Sequence, residues 1–241
     1  MSKPADPSAY PIRVEGDFDP PLSRWLWLVK WLLVIPHLIV LVFLWIALVL
    51  LTIAAFFAIL VTGRYPRAIF DFNVGVLRWS WRVGFYSYYA LGTDRYPPFS
   101  LGEHPEYPAR LDVAYPASLS RGLVLVKWWL LAIPHYVVVA VFTGGAWATA
   151  SDTNGSWTWL ADGGLVGVLV FFAGVALLFT ARYPRAMFDF ILGMDRWALR
   201  VCAYALLMTD AYPPFRLDLG AREPEPEGAA PEELGPDTAV A

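Results

Sequence analysis

Two sets of charged side chains recur in the sequence at one spacing. In each set an aspartate is followed seven residues later by an arginine and then, after four more residues, by a second arginine. At 3.6 residues per turn, side chains at these spacings share one stripe of a helix. Such charges can reach lipid phosphates, or they can line a polar path when they face other helices. The two sets are Asp71, Arg78 and Arg82, and Asp189, Arg196 and Arg200.

More basic residues precede each set. The motif Arg-Tyr-Pro-Arg opens both segments. A separation of seven residues is about 10 Å of helical rise, which is long for a direct ion pair between Asp71 and Arg78. The arginines of the motif are therefore candidate partners of the aspartates, beside water and helix N-termini. They are Arg64 and Arg67 in the first half, and Arg182 and Arg185 in the second.

His37 and His135 occupy matching positions, each directly after a proline in the sequence Ile-Pro-His. A proline inside a helix kinks or breaks it, and a histidine there can cap the exposed backbone. The alternative is a proton or ligand site, because histidine changes charge near neutral pH. Neither histidine has the spacing to another ligand that a metal site requires. We expect no metal, no cofactor and no catalytic residue, and hence no enzyme.

The charged stripes lie on helices that we predict over residues 68–91 and 186–207. Phenylalanine, tryptophan and valine cover most of the remaining surface of each helix. A helix of this length can span a bilayer or lie along its surface, and the pattern leaves both open. We favour arginines that anchor the helix at lipid headgroups. A buried aspartate–arginine network and a contact with a partner protein are the alternatives.

Composition indicates an integral membrane protein. Hydrophobic residues make up 58% of the 241 residues and charged residues only 16%, against about a quarter charged in soluble domains. Residues 218–241 are rich in glutamate and proline, so we expect them to be disordered. We expect the same of residues 1–9. Arginines interleaved with tryptophan, together with an acidic tail, do not favour nucleic acid as a partner. Cys202 is the single cysteine, which excludes an internal disulfide.

The chain is a tandem duplication of residues 10–103 and 104–217. Each copy has a short strand signal, an apolar segment, Arg-Tyr-Pro-Arg, an amphipathic helix and Tyr-Pro-Pro-Phe. This order predicts an all-α integral membrane protein with two tandem repeats. Each repeat is a kinked hydrophobic helix or helical hairpin followed by an arginine-containing amphipathic helix. The strand signals at Tyr10–Asp17 and Tyr107–Tyr115 are expected to pair beside the membrane.

A polar insertion at residues 151–164 splits the second apolar run, so we predict a hairpin with an outer loop there. The first run, Leu38–Thr62, is unbroken, and one kinked helix or a tight hairpin would fit. We favour the hairpin, because both copies then return to the same side of the membrane. By the positive-inside rule, both termini and both Arg-Tyr-Pro-Arg turns are expected in the cytoplasm.

The order IPH, a long apolar run, GRYPRAIFDFNVGVLRWSWRV and LGTDRYPPFSL resembles the bacterial membrane proteins grouped as domain of unknown function 4389. The resemblance covers residues 10–102 and 107–217. The second copy departs from it by the inserted loop, by Asp195 before Arg196 and by a shorter link between Tyr204 and Thr209. The resemblance implies a multi-pass protein of the bacterial inner membrane and brings no activity with it.

We expect a non-catalytic scaffold, assembly factor, or lipid- or partner-binding component. Its expected partners are the lipid bilayer and, as open alternatives, another membrane protein or a second copy of the chain. A small transporter or channel lined by the two stripes is the alternative, and a membrane enzyme that uses His37 or His135 is the third hypothesis. A stripe connected to solvent through the membrane would favour transport.

Overall fold

The computed structural model describes residues 10–144 and 164–222. The predicted disordered start at residues 1–9, nearly all of the predicted outer loop and the chain beyond residue 222 lie outside the described residues. The elements of the first copy are β1 (Ile12–Gly16), a 3-10 turn (Leu26–Leu28), α1 (Lys30–Thr62) and α2 (Arg67–Tyr86). Those of the second copy are β2 (Ala109–Val113), α3 (Arg121–Val126), a π-helical segment (Lys127–Leu131), α4 (Ile133–Thr143), α5 (Gly164–Thr180) and α6 (Arg185–Ala205).

The first apolar run forms one helix, so the predicted tight hairpin is wrong. α1 contains 33 residues, a length of about 50 Å, because the run contains no glycine or asparagine that could start a turn. Pro36 lies inside this helix, and the hydroxyl of Tyr96 donates to the carbonyl of Leu33 at 3.1 Å in the preceding turn. The helix ends at Gly63, which has a φ of 71°. α1 is long and apolar enough to cross a membrane.

The second copy holds one more residue between its lysine and its proline than the first. Lys127 lies seven residues before Pro134, whereas Lys30 lies six before Pro36. The extra residue is accommodated as the π-helical segment, as is usual for single-residue insertions in helices. The helix is bent by 44° between this segment and α4, so the predicted break at Pro134 is confirmed.

α4 and α5 are two parts of one interrupted helix, which corrects the predicted hairpin. Trp197 of α6 contacts both His135 and Phe142 of α4, and Lys127 contacts the later ring of Tyr204. α4 is therefore antiparallel to α6. α5 begins against the end of α4, since a Cβ added to Gly164 would lie 2.2 Å from the Gly144 nitrogen. A short turn joins α5 to α6, so α5 is also antiparallel to α6. It therefore continues in the direction of α4.

Alignment of the two copies, residue by residue, locates the insertion. Counting forward from the two histidines aligns Thr143 with Trp45, and counting backward from the Arg-Tyr-Pro-Arg motifs aligns Gly164 with Ile46. Residues 144–163 thus interrupt the second copy at the middle of the helix that corresponds to α1.

The predicted pairing of the two strand segments is confirmed. β1 and β2 form an antiparallel two-stranded ribbon in which Val14 faces Leu111. α2 packs between α1 on one side and β2 on the other, so the helices and the ribbon form three layers. Apolar side chains from both copies share one core, which includes Ile12, Phe70, Val124, Phe188 and Leu192.

The two copies exchange contacts across an approximate twofold axis. The hydroxyl of Tyr65 donates to the Leu206 carbonyl at 3.4 Å, and that of Tyr183 donates to the matching Ala90 carbonyl at 2.8 Å. At the ends of the long helices, Trp27 packs on Gly174 of α5, and α3 packs on α1. α1 therefore lies antiparallel to the interrupted helix of the second copy.

Deleting residues 144–163 should join α4 to α5 as a continuous helix without loss of the fold. We expect the variant to keep its melting temperature in detergent within about 5 °C, since a shift of that size corresponds to about 1–2 kcal/mol in a protein of this length. A differential scanning measurement with circular dichroism tests this. Aggregation, or loss of the cooperative transition, would instead show that α4 and α5 need the residues between them.

Candidate functional site

Arg78 and Arg196 cover the two edges of the ribbon. The Nε of Arg78 donates to the carbonyl of Leu111 at 2.8 Å, and the Nε of Arg196 donates to the carbonyl of Val14 at 2.9 Å. Each arginine thus binds the strand of the other copy. The ribbon edges, which would otherwise expose unpaired carbonyls, are closed by charged donors.

Arg82 is buried against the chain that follows Tyr-Pro-Pro-Phe. Its side chain is 2% exposed; Nη1 donates to the Gly102 carbonyl at 2.9 Å, and Nη2 donates to the Ser100 carbonyl. Its Nε has no hydrogen-bond partner among the described residues. Burial lowers the pKa of this guanidinium from its ordinary value, opposed chiefly by the nearby Tyr107.

Arg200, the counterpart of Arg82, has a carboxylate partner. Its Nη1 lies 2.6 Å from an Oδ of Asp218, a residue that is only 6% exposed. Arg216 binds the same carboxylate, and Arg196 donates to the Asp218 and Gly220 carbonyls. The predicted boundary of disorder at residue 218 is therefore wrong, because residues 218–221 pack against α6 and β1.

The favoured headgroup-anchoring interpretation is wrong for three of the four arginines on the two stripes. Arg82, Arg196 and Arg200 are at most 2% exposed, because backbone carbonyls and carboxylates of this protein surround them. The buried-network alternative describes these three arginines, but neither Arg78, whose side chain is 16% exposed, nor the aspartates. Asp71 is exposed and pairs with Arg67 one turn earlier at 3.1 Å.

Asp189 and the arginines of the two Arg-Tyr-Pro-Arg motifs lie outside this network. Asp189 is half-buried, and the other motif arginines are exposed. Arg67 lies 4.5 Å from the ring centre of Tyr115 and Arg185 lies 5.1 Å from that of Phe18. These two contacts join one copy to the other at matching positions. The exposed arginines are Arg64, Arg67, Arg182 and Arg185.

His37 and His135 each lie in a matching aromatic cluster. His37 stacks on Phe99 with ring centres 3.8 Å apart, and its Nδ1 accepts from Trp79 Nε1 at 3.1 Å. His135 stacks on Phe215 at 4.1 Å and accepts from Trp197 at 3.0 Å. In each copy, the tryptophan that follows the first arginine of the stripe and the phenylalanine of Tyr-Pro-Pro-Phe thus contact the histidine of Ile-Pro-His. The predicted cap is instead a side-chain acceptor within a packed cluster.

Sequence reasoning missed a buried lysine contact that occurs twice. Lys30 binds the Thr93 carbonyl at 2.6 Å and Asp94 at 2.9 Å. Lys127 binds Asp210 at 2.7 Å in the same way. The Thr-Asp pair before Tyr-Pro-Pro-Phe, repeated in both copies, was the available signal.

Asp195, one of the differences between the two copies, is a buried carboxyl group. It takes the place of Leu77, and its Oδ2 has no hydrogen-bond partner among the described residues. Burial raises its pKa well above the ordinary value. The buried position therefore favours the protonated, uncharged form of this carboxyl group.

An open cleft of about 270 Å³ lies between α2, β2 and residues 103–105. Four arginines line it, together with His104 and three carboxylates. Within the described residues, no group of histidine, cysteine and acidic side chains could hold a metal ion. The arginines that line the cleft are Arg13, Arg78, Arg82 and Arg110.

A family model described as Domain of unknown function (DUF4389) matches residues 24–100 and 158–216, which is more than half of the chain. The two matched segments agree with the two copies, although the second match begins later than the duplicated strand and α3. No curated protein matches the chain, and no solved structure matches it.

Replacing Arg82 by alanine should destabilise the protein by about 3 kcal/mol, because it removes a charged donor from two buried carbonyls. Arg67→Ala is the matched control: this arginine is on the same helix, but it is 65% exposed and its pair with Asp71 is solvated. We expect the control to change stability by less than about 1 kcal/mol. Unfolding in detergent and in nanodiscs measures both, and equal losses would contradict the burial of Arg82.

Replacing Asp195 by leucine, the residue at the same position of the first copy, should stabilise the protein more at pH 8 than at pH 5. Because the folded pKa lies above the unfolded value of about 3.9, the unfolded chain releases its proton first as pH rises. Stability is therefore lost from about pH 4 up to the folded pKa, and leucine removes this loss. Melting curves across this range, with Asp71→Asn as the control, test it; parallel curves for wild type and variant would refute it.

Proposed function

The chain belongs to the family described as Domain of unknown function (DUF4389), and we propose that it is a non-catalytic protein of the bacterial inner membrane. In this proposal α1 and the interrupted helix α3–α5 lie flat in one leaflet, and the ribbon faces water. The protein binds the bilayer over a large area as a lipid-contacting scaffold. The observation that carries the proposal is that the charged ribbon, which packs on the far side of α2, lies at the height of the middle of α1.

The contacts between α1 and α2 show which part of α1 lies at the height of the ribbon. Trp79 reaches His37 and Asn73 reaches Thr52 Oγ1, each at 3.1 Å, so the middle of α2 lies beside the middle of α1. Arg78, between these residues, binds the ribbon. If α1 crossed the bilayer, the exposed carboxylate of Asp112 would lie near the bilayer centre.

That placement is unfavourable for the exposed charges on the ribbon and beside it. A charged side chain at the centre of a bilayer costs about 3 kcal/mol on insertion scales. Glu103 is 69% exposed and Asp112 is 67% exposed, and Arg13 is exposed as well. With the long helices flat, all three side chains remain in water.

Exposed arginines at both ends of the long helices support the same orientation. Leu119 donates to the Gly63 carbonyl at 2.8 Å, which brings Arg121 to the first Arg-Tyr-Pro-Arg turn. At the other end, Leu22 and Arg182 line one pocket, and Arg24 follows Leu22 closely. The two ends of α1 are about 50 Å apart, so a crossing would put one basic cluster outside, against the positive-inside rule.

A flat orientation brings both clusters to the headgroups of one leaflet. There each arginine gains about 1 kcal/mol with anionic lipid. The exposed faces of the long helices supply the apolar contact, because they carry no charged residue from Trp31 to Thr62 or from Trp128 to Thr143. Phe43 and Val61 are 68% and 72% exposed, and Val137 of the second copy is 62% exposed.

The transporter alternative has no support from the stripes. Arg196 and Arg200 are enclosed by the protein's own carbonyl and carboxylate groups, so the stripe of the second copy would not line a path for solute. A path lined by both stripes, as the transporter alternative requires, is therefore not supported.

Depth-dependent quenching tests the orientation. A fluorescent label on single cysteines at Ile39, Val49 and Val61, in a Cys202→Ala background, should report one common depth in anionic vesicles with brominated lipids. A label at Arg13 should not be quenched. The same variants in vesicles without bromine serve as the control.

A crossing helix gives a different pattern. The label at Val49 would then be deepest, the labels at Ile39 and Val61 would lie near opposite surfaces, and the label at Arg13 would be quenched. That result would reject the flat orientation and restore the multi-pass topology.

A further inference from the structure

We propose that the cleft between α2 and the ribbon binds a small carboxylate anion, with Arg82 and Arg13 as the charged groups that hold it. The proposal does not depend on the orientation of the protein in the membrane. It rests on the charge balance of the cleft and on the contacts made at the matching position of the second copy.

The carboxylates that line the cleft already form ion pairs with arginines of the protein. Glu103 and Asp112 both lie 2.7 Å from Nη2 of Arg78. Glu15 lies 3.0 Å from Arg110. Among the residues that the structure describes, this leaves Arg13 and Arg82 without a carboxylate partner.

The second copy shows what occupies the same place there. Arg200 corresponds to Arg82, and it binds the Asp218 carboxylate at 2.6 Å. The second copy has two more residues here and an aspartate with no counterpart in the first: Phe-Arg-Leu-Asp-Leu-Gly replaces Phe-Ser-Leu-Gly after the two prolines. Gly75 faces Leu101 and Gly193 faces Leu219, which aligns Leu101 with Leu219 and places the two extra residues within Arg216–Asp218.

Without these two residues the first copy has an arginine and an open cleft where the second has an internal ion pair. A buried arginine is stabilised most by a carboxylate in bidentate or charge-assisted contact. The cleft of about 270 Å³ exceeds the roughly 30 Å³ of one water severalfold, so it has room for a molecule of several heavy atoms. Arg13, which is exposed at the mouth, can bind a second charged group of such a molecule.

Calorimetric titration of the full chain in detergent with succinate is the direct test. We expect saturable binding, together with a rise in melting temperature that chloride at equal ionic strength does not produce. Sulfate is the second arm, because it has the same charge but not the planar carboxylate geometry. Equal or tighter binding of sulfate would overturn the assignment to carboxylates, and absence of saturable succinate binding would overturn the site itself.

Three variants locate the binding. Arg13→Gln changes an exposed side chain, so it should fold normally and weaken succinate binding at least fivefold. Arg82→Lys keeps the charge and loses the fork of donors, and we expect at least a tenfold loss. Arg24→Gln removes an exposed arginine far from the cleft and should leave the affinity unchanged.

A fourth variant keeps the test decisive if Arg82→Lys does not fold. Inserting Leu-Asp between Ser100 and Leu101 gives the first copy the arrangement of the second. We expect it to abolish succinate binding and to raise the melting temperature, because the new carboxylate pairs with Arg82. Succinate binding that survives this insertion, or that is unchanged in Arg13→Gln, would refute the proposal.

Discussion

The pairing of Val14 with Leu111 is the contact on which the rest of the structure depends. In an antiparallel ribbon, facing residues alternate between those that exchange hydrogen bonds and those that do not. The flanking bonds from Ala114 to Pro11 and from Asp17 to Pro108 make Val14 and Leu111 a pair of the second kind, so their carbonyls point outward. Each carbonyl then accepts from an arginine of the opposite copy. A two-stranded ribbon is only marginally stable alone, and here its edges are completed by α2 and α6.

This exchange explains why so apolar a chain keeps fully buried arginines. A guanidinium has five donors in a fixed fork and stays charged under all relevant conditions, so one side chain can satisfy several carbonyls of a loop that has no regular partner. Arg82 does this for the chain at Ser100 and Gly102, and Arg196 does it for Asp218 and Gly220. Because the strands are exchanged, each copy buries the charges of the other. Neither copy contains a complete site, so the two copies form one folding unit.

Repetition made much of this predictable from the sequence. The duplication, the strand pairing and the amphipathic helices follow from patterns that local chemistry dictates. Proline alone does not determine the break at Pro134, because Pro36 at the matching position lies inside the continuous helix α1. The burial of Arg196 and Arg200 did not follow, because tryptophan beside arginine is equally typical of a membrane surface and of a packed core. The hairpins were predicted from a topology rule that assumes crossing helices, and Leu38–Thr62 offered no turn residue to support one. The link from His37 to Trp79 and Phe99 joins three motifs far apart in sequence, so only the fold could bring them together.

The departures between the copies fall into two physical classes. The extra residue before Pro134 and the insertion at residues 144–163 change the length of a helix, and the helix takes them up locally as a π-helical segment and a break. Lys127 still reaches Asp210 and His135 still reaches Trp197, as their counterparts do. The two extra residues after Tyr-Pro-Pro-Phe act differently, because the lengthened segment supplies the Asp218 carboxylate where the first copy has none. The two copies therefore surround two unlike clefts, one closed by the chain itself and one open, and the difference lies beside a buried arginine.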